Sequence, residues 1–75
     1  MNRKIILDFL ENYKIVIINL SNNKEEYLYN LNILQNYKLN LLLNNININL
    51  LVLINELNDI FNFDRNQIKD ILKCI

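Results

Sequence analysis

The sequence predicts an all-α fold, a compact bundle of four helices over about residues 3–20, 23–43, 46–61 and 64–74, joined by short polar turns. Three observations lead there. Apolar residues recur at steps of three and four, the period of a helix with one buried face. Clusters of Ser, Asn and Asp interrupt that pattern three times, each followed by residues suited to a helix start. No run alternates cleanly apolar and polar, as a half-buried strand would. The 75 residues are read as a single helical domain, without linker or internal repeat. Few chains this short bury a large core, so stability should be marginal.

Helix one spans about residues 3–20. At about 100° per residue, Ile5, Ile6, Phe9, Leu10, Tyr13, Val16, Ile17 and Leu20 share a face. Asp8, Glu11, Asn12 and Asn19 fall on the other. The β-branched stretch Ile15 to Ile18 would suit a strand, but it does not alternate.

The segment SNNKEE, residues 21–26, then opens helix two, about 23–43. Ser21, Asn22 and Asn23 can each cap a helix N-terminus, and Asn22 with Glu25 has capping-box spacing. Glu25 and Glu26 sit where the helix dipole favours negative charge. The expected inward face carries Tyr27, Leu28, Leu31, Leu34, Leu39, Leu41 and Leu42, with Gln35 and Lys38 intruding.

Asn44 and Asn45 supply the next turn, since Asn tolerates the left-handed conformation that would otherwise call for Gly. Helix three, about 46–61, buries a stripe of Ile46, Leu50, Leu53, Ile54, Leu57, Ile60 and Phe61. Asn62 is expected to close it in the left-handed conformation. Asp64 then caps helix four, about 64–74, with Gln67 three residues on. Its apolar face is Ile68, Ile71, Leu72 and Ile75.

Composition narrows the function. Lys plus Arg equals Asp plus Glu at eight each, so net charge is zero. That lacks the basic surplus with which nucleic-acid binders neutralise phosphates, and argues against electrostatic attachment to a membrane. The longest unbroken apolar run, Leu50 to Ile54, is far short of the roughly 20 residues a transmembrane helix needs. The start, MNRKIILDFLENYK, does not read as a signal peptide, because Asp8 follows so short an apolar run.

With no His and a single Cys, Cys74, one chain lacks the roughly four ligands of a structural zinc site and the usual general base of catalysis. The lone Cys fits a reducing compartment such as the cytoplasm. Without Gly there is no glycine-rich phosphate loop. No catalytic, metal or cofactor site is assigned, and the protein is read as non-enzymatic. The 17 Asn, with no Gly, Pro or Ala, match the codon bias of an AT-rich genome, a virus or phage among the candidates.

Residues 60–72, IFNFDRNQIKDIL, have the outline of a helix, a tight turn and a second helix. Leu57, Phe61, Phe63, Ile68 and Ile71 are apolar where such a unit needs them. Asn62 stands at the turn, and Arg65, Asn66 and Gln67 at the start of the second helix. Over residues 54–75 this resembles the helix-turn-helix of DNA-binding transcription regulators. The resemblance implies helix four as recognition helix, with Arg65, Asn66, Gln67, Lys69 and Lys73 toward DNA. Asn58 replaces the small residue usual where those helices touch, and residues 64–75 carry a side-chain balance of only +1. A capped corner, plugged by Phe61 and Phe63, accounts for the same residues and is the reading taken.

The surplus of apolar residues is more informative. Tyr29, Ile33 and Tyr37 repeat every four residues as a ridge expected on the back of helix two, and Ile48, Leu51 and Val52 lie on the outer side of helix three. Aromatic ridges of this kind anchor interfaces. The function expected is therefore protein–protein association: a homo-oligomer, a small subunit of an assembly, or an inhibitor that covers a partner's surface. DNA regulation is the alternative.

Overall fold

A computed structural model describes residues 3–44 and 47–75, which form four helices: α1 (Arg3–Leu20), α2 (Lys24–Leu43), α3 (Leu50–Phe61) and α4 (Arg65–Lys73). No strand occurs among the described residues. The radius of gyration, 12.0 Å, is close to the roughly 11 Å expected for a packed chain of this length.

The polar clusters between helices act as caps. Asn23, in extended backbone, accepts the Glu26 amide at 2.8 Å and starts α2. The cap is thus one residue later than the Asn22–Glu25 pairing expected. Asn22 instead donates from its side chain to Glu26 Oε2 at 3.2 Å. Asp64 Oδ1 accepts from the amides of Asn66 (2.8 Å) and Gln67 (3.1 Å), satisfying two of the four orphan donors that open α4. Asn62 closes α3 at φ 55°, ψ 38°, the left-handed cap expected of it. Asn44 closes α2 differently, at φ −93°, with its side-chain amide donating to the Asn40 carbonyl at 2.9 Å.

One boundary departs further. Helix three was expected from residue 46 but begins at Leu50. Asn49 takes extended backbone and accepts the Val52 amide at 2.9 Å, which fixes the first turn there. Ile46 and Asn45 lie outside the described residues.

The core centres on α1. Of the nine buried apolar side chains among the described residues, α1 supplies Ile6, Leu10, Tyr13, Val16 and Ile17. Leu34 comes from α2, Leu53 and Leu57 from α3, and Ile68 from α4. α1 packs against each of the other three helices. At the α3–α4 corner, Phe61 and Phe63 stack nearly parallel with centroids 5.6 Å apart, and Phe61 lies 5.7 Å from the ring of Tyr13. The two phenylalanines plug the corner as expected, and through Tyr13 they fasten it to α1. Ile5 and Ile60, assigned to inward stripes, are exposed at the edges of those stripes.

The facing of α2 needs correction. Leu28 and Leu39 were placed inward, yet both are exposed, while Tyr37, placed on the outer ridge, packs against the core. Apolar residues surround α2 on nearly all sides, so periodicity does not single out one face. Packing on the core through Tyr27, Leu31, Leu34, Tyr37 and Leu41 defines the inward face, and two polar ties accompany it. Asn30 donates to the Ser21 hydroxyl at 3.2 Å, and the Tyr37 hydroxyl donates to Glu56 on α3.

Candidate interaction surface

The six residues expected to form an interface divide between two regions and two degrees of exposure. On α2, Tyr29 stands clear at 67 % exposed, Ile33 is half-buried, and Tyr37 is turned toward α3. The ridge is therefore interrupted at its C-terminal end. Burial and the nearby Glu56 carboxylate, which accepts its hydrogen bond, together push the Tyr37 phenol well above its ordinary value. Tyr37 is best described as a tie between α2 and α3.

At the start of α3, Leu51 is 69 % exposed and Val52 is exposed beside it, while Ile48 packs against the core. The Asn49 cap explains this. It starts the helix at Leu50, and with Leu53 and Leu57 buried the helical repeat leaves Leu51 and Val52 outside the buried face.

The exposed residues of α2 form a face that the sequence reading did not single out. Leu28, Leu39 and Leu43 lie about 120–180° around the helix from the buried Leu34. Leu43 is 85 % exposed. The signal was present, since α2 carries more apolar residues than one face can hold, but which of them faced outward depended on packing against the other helices.

Arg65, Asn66, Gln67, Lys69 and Lys73 are all exposed on α4. Arg65, Asn66 and Lys69 border a cleft of about 400 Å³ whose walls include Phe9, Ile54 and Asn58. Asn58 thus lines a gap between α3 and α4, where the helices of a helix-turn-helix would touch. The Tyr13 ring also borders this cleft. Its hydroxyl is buried without a hydrogen-bonding partner among the described residues, and burial pushes its phenol up to about 12.

Among the described residues no three His, Cys, Asp or Glu side chains gather as a metal site would require. Cys74 is exposed, with its thiol against the Asp70 carbonyl at 3.4 Å. No helix of the described residues is long and apolar enough to cross a membrane. Comparison with protein-family models, with curated proteins and with solved structures finds no match.

Proposed function

We propose that the protein is a non-enzymatic protein–protein interaction module, working in a reducing compartment and encoded by an AT-rich genome. It joins a second copy of itself, a larger assembly or a target whose surface it covers. The observation that carries this reading is the helix α2. It bears apolar side chains around most of its circumference, but Leu34 is the only one that it buries completely among the described residues. A helix apolar on all sides is ordinarily covered on all sides. Here Leu28, Tyr29, Leu39 and Leu43 face outward instead, and Leu51 and Val52 add a second apolar site on α3. Exposed apolar clusters with aromatic members are the usual form of binding surfaces.

The test is a photo-activated crosslinker placed at Tyr29 or at Leu51, in cells that make the protein naturally. An adduct of defined mass from either position is expected. Its absence from both would refute the reading. DNA binding is the second reading, supported by the exposed side chains along α4. With the chain neutral overall, phosphate attraction would be weak. A gel shift that weakens steeply with salt would favour it.

A further inference from the structure

We propose that the outer face of α2 is covered by the same face of a second copy of this chain, the two helices running antiparallel about a two-fold axis between Ile33 and Leu34. This rests on the association reading above and names its partner. Leu28, Asn32, Gln35 and Leu39 follow one another at steps of four, three and four. In a helix those steps trace one narrow stripe, the seam of a helix pair. The stripe lies about 130° around from Leu34, and all four of its side chains are exposed. Leu28 is 52 % exposed and Leu39 46 %. Tyr29 and Leu43 flank them. Between Glu26 and the end of α2 the sole charge is Lys38, which is half-buried and lies about 40° around the helix from Leu34, away from the stripe. A stripe without charge, set between aromatic and aliphatic neighbours, has the composition of an interface centre.

The order of the residues selects a second copy. Leu28 and Leu39 are equidistant from the midpoint of α2, and so are Asn32 and Gln35. Turning one α2 end for end about that midpoint sets Leu28 against Leu39 of the second copy, and Asn32 against Gln35 of the second copy. Apolar meets apolar, and each carboxamide meets one that can donate and accept in return. In a closed two-fold contact every pairing occurs twice. A parallel pair would match side chains equally well. However, it would align the two helix dipoles and bring together first turns that each carry Lys24, Glu25 and Glu26, a net charge of −1. The antiparallel pair avoids both.

A 20-residue helix is about 30 Å long, and packed helices approach to about 8–10 Å. Two such faces, widened by Tyr29 and Leu43, bury on the order of 1,000 Å², the low end for a specific contact. A contact of that size fits a reversible dimer rather than an obligate one.

The experiment is sedimentation equilibrium on the full chain and on three variants: Leu28→Glu, Leu39→Lys, and the two combined. Both positions are exposed, so all four chains should keep the helical circular-dichroism spectrum. The wild type should dimerise reversibly. Each single substitution should raise Kd by about tenfold or more, because each copy then holds an unpaired charge against a leucine of the other. The combined variant should recover dimerisation, since the introduced carboxylate and ammonium face each other across the axis in the antiparallel register only. A wild type that stays monomeric at millimolar concentration would overturn the proposal. So would single variants that dimerise like the wild type, or a combined variant as dissociated as the singles. Crosslinks at Tyr29 or Leu51 to a different protein would uphold the association reading while this proposal fails.

Discussion

Replacing Leu57 by Ala removes every carbon beyond Cβ from a side chain that is 0 % exposed. The lost transfer free energy, at about 0.8 kcal/mol per buried carbon group, comes to roughly 2–2.5 kcal/mol. Leu57 sits in one continuous cluster with Leu53, Tyr13 and Ile17, so the neighbours collapse into the gap only in part. The residual cavity carries the total to about 3–4 kcal/mol, within the range of buried leucine truncations. A 75-residue domain has a total stability of about 4–11 kcal/mol. Leu57→Ala should therefore remove about a third or more of it. For a domain of this size, each kcal/mol moves Tm by about 4–8 °C, so the melting temperature should fall by more than about 10 °C. The control is Leu51→Ala, on the same helix and 69 % exposed, which should stay within about 0.5 kcal/mol of the wild type. Thermal and urea melts followed by circular dichroism measure both. A Leu57→Ala protein melting within a degree or two of the wild type, or a Leu51→Ala protein equally damaged, would refute the placement of α3's inner face.

Three further outcomes are expected. Asp64→Ala should destabilise by about 0.5–2 kcal/mol while Asp64→Asn stays near neutral, because an Asn oxygen can accept the same amides; equal large losses would assign a role to the charge. Tyr13→Phe should stabilise by roughly 1 kcal/mol, because it removes a buried hydroxyl that lacks a partner; a loss in the urea midpoint would contradict this. Stability should also fall in alkali. Burial holds the Tyr13 phenol up at about 12 against an ordinary 10.0, and Tyr37 is raised as well, so the folded chain binds these protons more tightly than the unfolded one. Their contribution is complete below pH 10 and is lost as the pH rises from there toward and beyond 12. Urea midpoints that hold level or rise over that interval would refute it.

The legible parts of this fold were local. Spacing and capping chemistry located α1, α2 and α4 to within a residue or so, because Asn23 and Asp64 accept amides only a few positions away. The start of α3 was misplaced because Ile46 and Leu50 fit the stripe, whereas the chain obeys the cap at Asn49. The outward face of α2 was not legible for a different reason. With leucine or tyrosine at nearly every angle, its orientation hangs on packing against the other helices, through Tyr27, Leu31, Leu34 and Leu41 and the tie of Tyr37 to Glu56. The same packing decides which leucines are left for a partner, so the candidate surface inherits the ambiguity of the helix that carries it.

The central position of α1 also sets the order in which the native state comes apart. α2, α3 and α4 each lean on α1. α4, a short helix with Ile68 as its one buried residue, has the least to lose in lifting away. Amide protons near Leu10, Tyr13 and Val16 are then released to solvent only when the whole structure opens, whereas those of α4 exchange through a smaller, cheaper opening. A partner bound along α2 would leave that easier route open, and exchange within α1 would stay governed by global unfolding.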